Sequence, residues 1–105
     1  MNETKAIINL KNLRYNYLSI RRKTKTKVMA VVKADAYGHG MFECVKSFEN
    51  LNDKKPEYYG VAILSEAIEL RNSKVTKQPI VCFAPFKKVD LDYYFKFKVF
   101  PTITS

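Results

Sequence analysis

The residues best suited to do chemistry lie around Lys33. Five apolar residues, Val28 to Val32, run directly into this lysine, and Gly38-His39-Gly40 follows shortly after. An amine that leaves a buried strand is partly desolvated, which favours its uncharged form and makes it a candidate nucleophile toward a carbonyl. Alternation along the strand places Val28, Ala30 and Val32 on one face and Met29, Val31 and Lys33 on the other. The expectation is a strand buried on both faces, with Lys33 beside two core side chains. The commoner fate of such a lysine is to reach for water along its apolar stem. Other reactive types are sparse. His39 is the only histidine, so no histidine cluster for a metal and no Ser-His-Asp set is expected. Cys44 and Cys82 lack metal-ligand spacing and read as small buried apolar side chains. Glu66 and Glu69 fit a solvated helix surface better than a pair of general acids.

The elements that must position Lys33 follow from periodicity. Residues 5–10 read as a short strand. Leu10, Leu13, Tyr17 and Ile20 recur at helical spacing, which predicts an amphipathic helix over 11–22. Met41, Cys44, Val45, Phe48 and Leu51 mark a second helix, and the glycines beside His39 permit a sharp bend before it. Backbone amides at the start of that helix could face an anion. A polar loop over 52–57 leads to a strand over 58–64. Ser65 suits a helix N-cap and Glu66 its first turn. Pro79 stands at the edge of a strand over 80–83, a brief helix spans 89–95, and Pro101 demotes a last strand, 99–104, to an edge or irregular one. This alternation predicts an α/β fold with a parallel sheet. About four strand–helix units are present where roughly eight close a barrel. The expected architecture is thus the N-terminal portion, about half, of a parallel (β/α) TIM barrel, with one strand edge and its inner face uncovered.

The segment Ala30-Val31-Val32-Lys33-Ala34-Asp35-Ala36-Tyr37-Gly38-His39-Gly40 resembles the pyridoxal-phosphate attachment segment of the alanine racemase family. The resemblance extends to Ile8-Asn9-Leu10 with Leu13-Arg14-Tyr15-Asn16, to Tyr59-Gly60-Val61-Ala62, and to Glu66-Ala67-Ile68-Glu69-Leu70-Arg71. It is looser at Pro79-Ile80-Val81 and over 101–105. It implies that Lys33 holds pyridoxal 5'-phosphate covalently and serves as one of two opposed bases. Tyr37 would help to hold the cofactor phosphate. The implied reaction is interconversion of L- and D-alanine, which supplies D-alanine for peptidoglycan, in a homodimer. The second base would be a tyrosine from the C-terminal domain of the partner subunit. The resemblance covers only the family's N-terminal part, so residues 1–105 are expected to form a partial barrel domain without the C-terminal β domain. A fragment with little or no activity of its own is the corresponding expectation. Two alternatives stay open: a non-catalytic pyridoxal-phosphate-binding barrel protein, and a half-barrel that completes its fold with another chain.

Composition bounds the remaining classes. The 47% hydrophobic content of these 105 residues argues for one small globular domain rather than a disordered chain. No apolar run is long enough for a membrane span, and the N-terminus lacks the order of a secretory signal, so a cytoplasmic location is expected. The formal charge of +9 concentrates in Arg21-Arg22-Lys23-Thr24-Lys25-Thr26-Lys27. A solvated helix end accounts for this run, since cations complement the negative end of a helix dipole. No nucleic-acid-binding signature surrounds it, and no nucleic-acid partner is expected.

Overall fold

The structure is a computed structural model, and it describes residues 10–32 and 40–103. The strand expected over 5–10, and Lys33, Tyr37 and His39, lie outside the described residues, apart from Leu10, which opens a helix. Four helices and four strands alternate: α1 (Leu10–Lys23), β1 (Met29–Val31), α2 (Met41–Glu49), β2 (Tyr58–Val61), α3 (Leu64–Ser73), β3 (Ile80–Pro85), α4 (Leu91–Phe97) and β4 (Val99–Thr102). Single 3-10 turns, Asn52–Lys54 and Lys88–Asp90, precede β2 and α4. The strands form one sheet in the order β1-β2-β3-β4, and each neighbouring pair is parallel. Sequence order equals spatial order, as the strand–helix alternation predicts.

Register divides the sheet into two unlike faces. Ala30, Tyr59, Ile80 and Val99 lie side by side, and Val61 pairs with Cys82. This face is packed: Tyr59, Val61, Ile80 and Cys82 are fully buried. Tyr17 of α1, Val45 and Phe48 of α2, Ala67 and Leu70 of α3 and Tyr94 of α4 join the same core. All four helices therefore cover one side. The opposite face carries Met29, Val31, Phe83 and Phe100, all exposed, Val31 and Phe100 at 53% each. The expectation that the strand ending at Lys33 is buried on both faces is thus corrected. Helices cover only the Val32 side, and nothing among the described residues covers the Val31 side. The uncovered inner face expected of a half-barrel is what the sheet presents.

Local chemistry explains where elements start and stop. α1 carries Arg21, Arg22 and Lys23 in its last turn, the arrangement favoured by the helix dipole. Ile20, expected in the buried stripe of α1, is 62% exposed and lines an open cavity together with Met29, Ala30 and Val31 of β1. α3 begins at Leu64, with Ile63 rather than Ser65 at its cap. The reason is Glu66, whose Oε1 accepts the backbone N–H groups of Ala62 at 2.9 Å and Ile63 at 3.2 Å. Those donors would otherwise be orphaned at the helix start. Glu66 is consequently buried, not solvated. Pro101 stands in β4, which pairs with β3 alone among the described strands, so its missing N–H costs no ladder bond there.

Candidate functional site

The candidate site is approached along β1, and β1 is held firmly at its start. The guanidinium of Arg21 bridges both carboxylate oxygens of Glu57, the Oε1 contact at 2.6 Å. The same Oε1 accepts the Val28 amide at 2.8 Å, and Val28 O accepts the Glu57 amide at 3.0 Å. Hydrogen bonding from Arg21 holds the Glu57 carboxyl down to about 2, and the pair raises Arg21 in turn. The entrance to β1 is thereby pinned to the entrance to β2.

At its other end β1 stays paired up to the last described residue. Val32 N donates to Gly60 O at 2.8 Å, and Val32 is buried. Beside this point the open face is shaped by Gly60. A Cβ there would meet Phe83 Cζ at 2.6 Å and Met29 Sδ at 3.0 Å, so the Phe83 ring lies across the glycine backbone. The chain re-enters the described structure at Gly40, whose φ of 82° and ψ of 149° are open essentially to glycine alone. Gly40 O accepts the Cys44 amide at 3.2 Å, which starts α2 directly. The bend expected at the glycines is present at Gly40.

The structure thus gives the frame on both sides of the motif: a strand end at Val32, an open apolar surface of Met29, Val31 and Phe83, and a glycine hinge at Gly40. Lys33 and Tyr37 lie between these points, outside the described residues. The other sequence candidates fall elsewhere. Cys44 and Cys82 are buried in the core, as expected, and burial pushes the Cys44 thiol up, which keeps it protonated and poorly nucleophilic. Glu66 is a capping residue and Glu69 is exposed on α3. No group of three or more metal-ligating side chains lies among the described residues. No helix among them is long and apolar enough to cross a membrane.

Sequence reasoning missed three polar side chains that hold the strand entrances. Besides Glu57, Glu49 accepts from Tyr59 Oη at 2.8 Å, Thr76 Oγ1 at 2.9 Å and Lys55 Nζ at 3.1 Å. Burial and the Glu49 contact push the Tyr59 hydroxyl far up, so it stays a donor. Arg71 donates to the carbonyls of Phe97 at 2.8 Å, Thr76 at 3.1 Å and Lys98 at 3.1 Å. These clamps sit at the N-terminal ends of the strands, the stabilising side of barrel folds. Chemistry in such folds occupies the C-terminal ends, where β1 runs toward Lys33.

Four consecutive helix–strand units, their strands all parallel and one sheet face open, define the class: the first portion of a parallel (β/α) barrel. Comparison with known proteins narrows it. Residues 8–105 match the family described as "Alanine racemase, N-terminal domain". The chain is 41% identical over 86 residues to an alanine racemase of Pseudomonas entomophila, covering 82% of this chain and 23% of that protein. It is 34% identical over 105 residues to an alanine racemase of Xylella fastidiosa, covering 100% of this chain and 28% of that one. A solved alanine racemase of Clostridium difficile 630 superposes with a TM-score of 0.76 at 36% identity, covering 93% of this chain and 25% of that structure. The chain belongs to the alanine racemase family. It spans about a quarter of the length of the relatives it matches.

Proposed function

We propose that this chain carries the cofactor-attachment segment of a pyridoxal-phosphate-dependent alanine racemase, with Lys33 as the attachment residue and Tyr37 as a phosphate-holding residue. The observation that carries the reading is the exposed Val31 side of β1, two residues before Lys33, in a chain of this family. The alternation read from the sequence groups Lys33 with Met29 and Val31. The described frame suits a flat aromatic cofactor: Val31 and Phe83 offer an apolar surface, and Gly60 removes the side chain that would stand between them. No carboxylate lies among these residues to repel a phosphate.

When bound, pyridoxal phosphate supplies the electron sink that stabilises the charge left on an α-carbon after its proton leaves. The chain's own residues have separate tasks. Lys33 Nζ would hold the cofactor and, as a free amine, would take or return a proton at the substrate α-carbon on one face. Tyr37 would hold the cofactor's phosphate. β1, pinned at Glu57 and paired through Val32, gives the segment that follows a fixed start, and positional error of about an ångström already costs large factors in rate. The whole activity, interconversion of L- and D-alanine, together with a homodimer supplying the second base and a cytoplasmic location, belongs to the proposal. So does the assignment of residues 1–105 as a partial barrel domain.

One observation favours a second element of the reading. Water reaches Met29 and Val31, and an amine on that face keeps its charge unless something covers it. A covering polypeptide, completing the barrel, would exclude water and favour the uncharged lysine. Equilibrium dialysis against pyridoxal phosphate tests the site assignment. Lys33→Ala should weaken retention at least about tenfold and Tyr37→Phe by less. Equal retention by the parent chain and Lys33→Ala would contradict it.

A further inference from the structure

The strand entrances, at the end of the sheet opposite the C-terminal end of β1, hold a feature that the racemase reading does not use. A groove of about 440 Å³ is lined by Arg71, Lys74, Thr76, Lys77 and Lys98. Its size falls within the range of small-molecule sites. Four of its five lining residues are cations and none is acidic. The ion pairs among the described residues are Arg21–Glu57 and Lys55–Glu49, so no described carboxylate forms an ion pair with this group. Glu49, which lies behind Thr76, is already engaged by Tyr59, Thr76 and Lys55.

Two of the lysines occupy positions that a helix end ordinarily gives to glycine or asparagine. Lys74 follows α3 with φ 60°, and Lys98 follows α4 with φ 56°, both in the left-handed region. Fold stability alone favours glycine at such positions. The negative ends of the two helices are also answered from within the protein. Ser73 Oγ donates to Leu70 O and Lys74 N to Arg71 O, while Arg71 takes the carbonyls of Phe97 and Lys98. The lysine side chains are therefore not needed to satisfy those carbonyls. The Arg71 guanidinium, fixed by three carbonyls, is held in place before any ligand arrives.

We propose that this groove binds a compact multivalent oxyanion of the diphosphate class, with Lys74, Lys77 and Lys98 as its charge partners and Arg71 as the fixed wall. Mutual repulsion of the ammonium groups is relieved when such an anion enters, and bonds from charged donors to phosphate oxygens are the strong kind. The site is independent of the Lys33 reading.

Diphosphate is the probe. The full chain is titrated with it at constant ionic strength set by sodium chloride, following amide NMR shifts over residues 74–78 and 97–99. The test variant is Lys74→Gly with Lys98→Gly, which relieves both left-handed positions and so preserves the fold while removing two ammonium groups. Saturable shifts confined to the two segments, weakened at least about tenfold in the double variant, are the expected result. Absence of saturable shifts, shifts spread over the other basic segments, or equal affinity in the double variant would each overturn the proposal.

Discussion

Arg21 and Glu57, 36 residues apart, form the ion pair that joins the end of α1 to the entrance of β2, and Glu57 also accepts the amide that begins β1. One carboxylate thus ties the start of the strand that precedes Lys33 to the end of α1. It couples a stability element to the candidate site.

This coupling has a pH dependence. Glu57 is held down to about 2 from an ordinary 4.5, with Arg21 as the main cause. A depressed carboxyl contributes stability that is fully present above its unfolded value and is lost as pH falls from about 4.5 toward 2. Glu57→Gln should remove much of that acid-sensitive portion and cost about 2 kcal/mol at neutral pH, after allowance for partial exposure. Urea melts of both chains at pH 7 and pH 3 would show the difference narrowing in acid.

The sheet–helix core gives a second expectation. Leu70 is 1% exposed and joins α3 to the buried face of the sheet. Leu70→Ala should destabilise by about 3 kcal/mol through lost transfer energy and a residual cavity. In a small domain that is a large share of total stability. Val31→Ala, on the open face, should cost under about 1 kcal/mol by the same measurement, because no packing is lost.

Gly60 separates steric from conformational effects. An added Cβ would collide with Phe83 Cζ at 2.6 Å, but Phe83 is 43% exposed and its ring can swing into solvent. Gly60→Ala should therefore change stability by no more than about 1 kcal/mol, since alanine also reduces the freedom of the unfolded chain. It should shift the Phe83 ring resonances and weaken pyridoxal-phosphate retention. Ring NMR and dialysis read the two effects separately.

Arg71 offers a fourth test. Its donors hold carbonyls of Phe97, Lys98 and Thr76, tying the entrance of β4 to that of β3. Lysine supplies the charge but not the planar fork, so Arg71→Lys should not rescue this role. Hydrogen exchange at the β4 amides should quicken in Arg71→Lys about as much as in Arg71→Ala, while β1 and β2 amides change little.

Much of the fold was legible because the strand–helix alternation is written in apolar periodicity. The apolar stretches over 28–32, 58–64 and 80–83 each stand out, and each overlaps a parallel strand, Met29–Val31, Tyr58–Val61 and Ile80–Pro85. The face division was half legible. Alternation placed Met29 opposite Ala30, but periodicity carries no information on whether a second layer exists, and Met29 and Val31 proved exposed. The start of α3 was misread because Ser65 is a good capping type, whereas Glu66 reaches back to Ala62 and Ile63. The Arg21–Glu57 and Glu49–Tyr59 contacts had no sequence signal, since their spacing is set only by tertiary packing. The Lys33–Tyr37 segment is the reverse case: resemblance supplies the expectation of chemistry, the segment lies outside the described residues, and the structure describes only the Val32, Gly60 and Gly40 surroundings of its two ends.

The central claim is that Lys33 is the cofactor-attachment residue. Incubating the chain with a low concentration of pyridoxal phosphate, reducing with borohydride and mapping modified lysines by mass spectrometry tests it most directly. Labelling concentrated on Lys33, with total label falling sharply in Lys33→Ala, is the predicted result. Labelling spread evenly over the lysines and unchanged in Lys33→Ala would contradict it.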